Sequence, residues 1–170
     1  MLLWFIQPLR AVAKTLTSAD SPRKMAAGFA LGMMIGLVPK GNLTAILLAV
    51  LLLSMRVNLA TGGLATMLFA WVGMVVDPLT HHVGGLLLSH PNLAPLWTWL
   101  YNQPVVPWTA FNDTVVMGSC AIGLWLLLPV YLVTRPLFAH LQPLLVERIK
   151  RYRLYQVLFG ADVVTSWRTA

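Results

Sequence analysis

The sequence predicts an all-α integral membrane protein with about four hydrophobic helices, the first pair short, flanked by amphipathic interfacial helices at both ends. Three observations carry that expectation. Hydrophobic residues make up 58% of the 170-residue chain and charged residues only 10%, whereas an ordinary globular domain is roughly a quarter charged. Mean hydropathy is +0.75. The basic residues avoid the middle of the chain: none lies between Arg56 and Arg135, while Arg10, Lys14, Arg23 and Lys24 precede that stretch and Arg148, Lys150, Arg151, Arg153 and Arg168 follow it. Five acidic residues cannot cover a soluble surface of this size, so lipid is the expected solvent. The net charge of +7 then reads as positive-inside topology and attraction to anionic phospholipid, not as a nucleic-acid footprint.

Residues 1–20 form the first unit. Leu2, Phe5, Ile6, Leu9, Val12, Ala13 and Leu16 share one helical face beside Gln7, Arg10 and Lys14, the pattern of a helix lying in the headgroup plane or docked on its own bundle. A basic start and an Ala-x-Ala site are both missing, so no cleaved signal peptide is expected.

The membrane unit spans residues 21–134. Ser21 can cap a helix and Pro22 suits its first position; this helix runs to about Val38. Gly28, Gly32 and Gly36 recur every four residues, a stripe that lets a neighbouring helix approach closely in lipid. Pro39-Lys40-Gly41-Asn42 breaks the chain, and a helix from Leu43 to Met55 follows. It rises only about 20 Å against roughly 30 Å of hydrocarbon. The pair therefore either spans a thinned bilayer or forms a re-entrant hairpin with its tip inside the membrane. After Arg56-Val57-Asn58 a third segment, Val57 to Val76, is long enough to cross, with Gly62 and Gly63 as further packing positions. Asp77-Pro78 is expected to end it, because the residue before proline avoids the helical region. Residues 79–90 are then too short to cross.

Residues 91–113 show no clear period, and Trp97, Trp99, Tyr101 and Trp108 mark them as an aromatic loop at the outer membrane interface. A last span runs over residues 114–133. Beyond Arg135-Pro136, residues 135–170 read as a basic amphipathic cytoplasmic tail, with Leu137, Phe138, Leu141, Leu144, Leu145 and Ile149 on its apolar face. Both chain ends fall on the cytoplasmic side.

Three places carry candidate chemistry. Lys40, Gly41 and Asn42 are an ordinary turn in a spanning hairpin. In a re-entrant one the ammonium sits at depth beside free N–H groups and makes a cradle for a lipid phosphate. Asp77 is an intramembrane charge, serving as counter-ion or proton carrier, or else a helix end facing water; an ion pair with Lys40 would tie the two breaks together. His81, His82 and His90 lack metal-ligand spacing, so no metal is expected. Cys120 reads as a small packed residue. No nucleophile–base set, phosphate loop or carboxylate pair is present, so neither an enzyme nor a bound cofactor is expected.

Ser21-Pro22-x-Lys24, Ala27-Gly28-Phe29-Ala30-x-Gly32, Gly36-x-x-Pro39-x-Gly41 and Arg56-x-Asn58 together resemble a family of small bacterial inner-membrane proteins, the domain-of-unknown-function family numbered twenty sixty-two. Asp77-Pro78-Leu79-Thr80 is similar to the family's Asn-Pro-Leu-Thr, with a carboxylate in place of an amide. The resemblance covers about residues 21–88. It implies the short subgroup, often encoded beside a larger membrane-anchored envelope protein, and fixes no catalytic residue. The expected function is an inner-membrane subunit of a cell-envelope complex that anchors a larger partner and handles phospholipid for transport. The alternatives are a small ion or polar-solute transporter with Asp77 in its path, and a membrane-embedded lipid-modifying enzyme. A bundle this narrow is also expected to associate, with itself or with that partner.

Overall fold

The computed structural model describes residues 20–151, with side chains to residue 143. The expected amphipathic helix over residues 2–18, the stretch beyond Arg151, and the face at Leu144, Leu145 and Ile149 lie outside the described residues or side chains. The described chain is helical throughout, without strands: α1 (Pro22–Leu37), α2 (Leu43–Ser54), α3 (Leu59–Leu88), α4 (Ala94–Tyr101) and α5 (Thr114–Arg151), with 3-10 turns at Pro91–Leu93 and Val106–Thr109.

Local chemistry sets the early boundaries. Pro22 takes the first position of α1, but the Ser21 hydroxyl makes no capping bond. The Ser21 carbonyl instead accepts from Lys24 N and Met25 N at 2.9 and 3.2 Å. Asn42 caps α2 by accepting from Ala45 N at 2.8 Å, and its amide donates to Pro39 O at 2.9 Å. Asn58 caps α3 in the same way through Thr61 N at 2.8 Å.

Three expected boundaries are corrected. α3 does not stop at Asp77; it continues through Pro78 for 30 residues in all, about 45 Å. α5 does not stop at Val133 but runs for 38 residues with Pro129, Pro136 and Pro143 inside it. Residues 91–113 are not a featureless loop, since eight of them form α4. An interior proline deletes one helical bond and costs about 3 kcal/mol, which the packing described next outweighs. The three α5 prolines recur every seven residues, so they share one face; all three are exposed.

The core is a bundle of α1, α3 and α5. α1 and α3 run parallel: Asn58 N donates to Lys24 O at 3.1 Å near their starts, Gly32 lies on the backbone of Gly62, and Gly36 lies on Thr66 and Phe69. α5 returns antiparallel, with Gly84 on Thr114, Gly118 on Thr80 and Gly123 on Met34. The Phe29 ring meets Phe69 at 6.0 Å and Phe138 at 5.9 Å, joining all three helices edge to face. The small-residue stripe Gly28, Gly32 and Gly36 thus faces α3, and Gly62 faces α1. Gly63 is a correction: a Cβ there would meet nothing within 4 Å, because one residue further along turns the position about 100° around the helix.

α2 stands to one side. Thr44 Oγ1 donates to Thr109 O at 2.7 Å, and Val38, Ala45 and Val116 pack beneath it. Its remaining surface, including Ile46, Leu47, Val50, Leu51 and Leu53, is exposed.

Among the described residues, two helices are long and apolar enough to cross a membrane, Leu59–Leu88 and Thr114–Pro143, and only 22% of the most apolar stretch of each is buried. A core helix of a soluble protein would hide most of that surface.

Gly41 has φ +95° and no atom within 4 Å of a built Cβ. Its requirement is purely conformational, so Gly41→Ala is expected to cost about 1–2 kcal/mol, read as a lower midpoint in detergent denaturation.

Candidate functional site at the hairpin tip

The break between α1 and α2 sits beside Asp77, because α1 ends at the level where α3 has reached Gly73. Lys40 and Asp77 line one small cavity of about 150 Å³, together with Gly36, Pro39, Gly73 and Met74. They do not pair: among the described residues the ion pair present is Lys24–Asp20, at 3.6 Å.

Lys40 is held by its own helix. Its Nζ donates to the carbonyls of Ile35, Gly36 (3.2 Å) and Val38 (2.6 Å). These are carbonyls that the end of α1 leaves without helical partners, and they carry the negative end of its dipole. An ammonium has three N–H bonds, and here each finds a carbonyl. The side chain therefore works as a cap on α1, with no donor left over for a phosphate. Asn42 is similarly committed, its oxygen to Ala45 and its amide to Pro39. Lys40→Ala is expected to cost roughly 1 kcal/mol of stability through the lost cap and to leave the phospholipid that copurifies with the chain unchanged. Loss of most of that phospholipid would restore the cradle reading.

The expected metal-free histidines are dispersed. His81 shares a hydrogen bond of 2.5 Å with the Thr114 hydroxyl across α3 and α5, and His82 and His90 are exposed. Among the described residues, no group of three His, Cys, Asp or Glu side chains gathers.

Above the tip, α4 and its turns form the aromatic end. Trp99, Tyr101 and Trp108 are 60%, 54% and 76% exposed. Trp97 differs: its ring packs on Phe111 at 6.1 Å and its N–H donates to Leu87 O at 3.1 Å, fastening α4 to the end of α3.

A polar seam that sequence reasoning missed runs inside the bundle. Asn58 is 5% exposed and Thr61 1%. The Asn58 amide donates to Asp20 Oδ2 at 2.8 Å, and Thr61 Oγ1 donates to Met25 O at 3.0 Å. Thr66 Oγ1 reaches Gly32 O at 3.1 Å and Gly62 O at 2.9 Å. The threonine bonds fill carbonyl acceptors that close backbone approach has cut off from solvent, and the Asn58 bond ties the start of α3 to the partly exposed Asp20 carboxylate. The signal available in the sequence was Asn58 as a cap; its reach to Asp20 depends on the parallel packing of α1 and α3.

The comparisons with known proteins supply a family and no activity. A family model described as an uncharacterized protein conserved in bacteria, DUF2062, matches residues 9–144. It extends past the residues 21–88 that carried the resemblance, taking in the aromatic end and much of α5. The chain is 28% identical over 130 residues to an uncharacterized protein of Treponema pallidum (strain Nichols), covering 76% of this chain and 80% of that relative. No solved structure matches it. With most of its length accounted for by that model, the chain belongs to the bacterial family DUF2062.

Proposed function

We propose that this protein is a multi-pass subunit of a cell-envelope complex in the bacterial inner membrane, gripping a larger membrane-anchored partner and presenting phospholipid to it. The observation that carries the membrane part is a belt of exposed apolar side chains. On α3 it runs from Leu59 through Leu64, Met67, Trp71 and Val75 to Leu79, about 30 Å along the axis, the thickness of bilayer hydrocarbon. Leu124, Leu128, Leu132 and Leu137 of α5 and most of α2 continue it around the molecule. The α1–α2 hairpin is shorter than this belt: its arms of 16 and 12 residues rise about 24 and about 18 Å, which suits either a crossing of thinned bilayer or a re-entrant loop.

The two rims of the belt differ in charge. Arg23, Lys24, Arg56 and Arg135 gather at the starts of α1 and α3 and beside them on α5, whereas the aromatic end around α4 has no lysine or arginine. By the positive-inside rule the first rim is cytoplasmic. The partner part rests on α2, whose outward residues touch little of their own chain, and on the envelope neighbour that the resemblance implies.

Purification in mild detergent from the native host, with mass spectrometry, is the test. We expect one larger membrane protein in constant proportion to this chain. Recovery of the chain alone, at full yield, would overturn the complex. Recovery in the aqueous fraction without detergent would overturn the membrane reading itself.

A further inference from the structure

At the basic rim, the start of α1 and the middle of α5 diverge around a cleft of about 680 Å³. Ser21, Pro22 and Arg23 form one wall; Leu132, Arg135 and Pro136 form the other. Its two cations come from helices far apart in sequence, and among the described residues neither guanidinium has a hydrogen-bonded or ion-paired partner. Asp20, the acid beside the cleft in sequence, is taken by Lys24 at 3.6 Å and by the Asn58 amide at 2.8 Å. The Ser21 hydroxyl is not spent on capping α1. A third feature indicates what else the occupant carries. Leu132, Leu128 and Leu124, exposed by 54%, 61% and 67%, recur every four residues and make an apolar track climbing about 12 Å along α5 from the cleft into the belt.

We propose that this cleft binds one anionic phospholipid. The phosphate sits between Arg23 and Arg135, whose planar forks each match two phosphate oxygens, and the Ser21 hydroxyl donates to another oxygen. One acyl chain follows the leucine track. A free phosphate satisfies the two guanidiniums but leaves the track unused, so the lipid is the occupant the whole surface fits. The inference rests on the membrane reading above and supplies the site that the hairpin tip, with Lys40 committed to carbonyls, does not offer.

The test uses the full chain, extracted in mild detergent and titrated with dioleoyl phosphatidylglycerol, with dioleoyl phosphatidylcholine and inorganic phosphate as the comparison probes. The parent should bind phosphatidylglycerol more tightly than either. The double variant Arg23→Gln with Arg135→Gln should bind it at least about tenfold more weakly, since both charge-assisted forks on the phosphate are lost. Arg56→Gln, on the same rim outside the cleft, should bind like the parent. Lysine at both positions should recover part of the affinity, since it restores charge without the fork. If the double variant fails to fold, Arg23→Gln and Arg135→Gln singly should each show a severalfold loss.

Equal losses in Arg56→Gln and the double variant would overturn the site in favour of diffuse surface attraction. Unchanged binding in the double variant would overturn it outright. Phosphate binding as tight as phosphatidylglycerol would overturn the lipid assignment. All three outcomes leave the membrane reading standing, which fails only if the chain partitions into water.

Discussion

Gly118→Ala should separate α3 from α5 and cost about 3 kcal/mol or more, the upper range for overpacking a filled interior. The added Cβ would lie 1.8 Å from Thr80 O and 2.9 Å from Gly84 N. Both are backbone atoms, so no rotamer change relieves the clash. Gly84→Ala meets Thr114 O at 1.8 Å and Gly32→Ala meets Gly62 O at 2.1 Å, so each should behave alike at its own crossing. Approach this close is what lets helices hold together in lipid, where no hydrophobic force favours their contact over contact with acyl chains. Gly63→Ala and Gly85→Ala are the controls: nothing lies within 4 Å of either Cβ, and removing a helical glycine should be neutral or raise stability by up to about 1 kcal/mol. Denaturation in mixed micelles, followed by helicity and by crosslinking of α3 to α5, measures all five. Equal stability of Gly118→Ala and Gly63→Ala would show that the two helices do not cross at these glycines.

The second large effect is expected at Asn58, where one side chain serves two jobs. It caps α3 through Thr61 N, donates to the Asp20 carboxylate, and does both at 5% exposure. Asn58→Leu removes a cap worth about 1 kcal/mol and a charge-assisted bond of about 1.5–3 kcal/mol. The combined loss should reach about 3 kcal/mol and loosen the parallel pairing of α1 with α3. Asn58→Asp keeps the capping oxygen but sets a second carboxylate against Asp20 and should be nearly as harmful. Adding Asp20→Asn to it exchanges donor and acceptor and should recover most of the loss. A double variant no better than Asn58→Asp alone would mean that the two side chains are not coupled.

What could be read without the tertiary structure follows from local chemistry. The breaks over residues 38–42 and 55–58 are legible because Pro39, Gly41, Asn42 and Asn58 stop and restart a helix through their own rings, torsions and side-chain oxygens. The glycines at 28, 32 and 36 are legible as a shared face because helical periodicity alone places them there. Pro78 and Pro136 misled for the complementary reason. A proline removes one hydrogen bond whatever surrounds it, but whether the helix ends there depends on whether neighbours repay the loss. Thr80 and Gly84 pack α3 on α5 after Pro78, Gly73 packs it on α1 before Pro78, and no local signal reports that.

By itself, the sequence determined an all-helical, lipid-suited chain with a helix break over Pro39 to Asn42, a turn at Arg56 to Asn58, and cations gathered toward one rim. Only the tertiary structure decided which glycines bring backbones into contact and that α1 runs parallel to α3. It also decided that Lys40 serves its own helix end while Arg23 and Arg135 face one cleft. The physical reason is range. Caps, torsions and periodicity act within a turn or two of chain, whereas close approach and the convergence of charges depend on how separate helices are placed against one another.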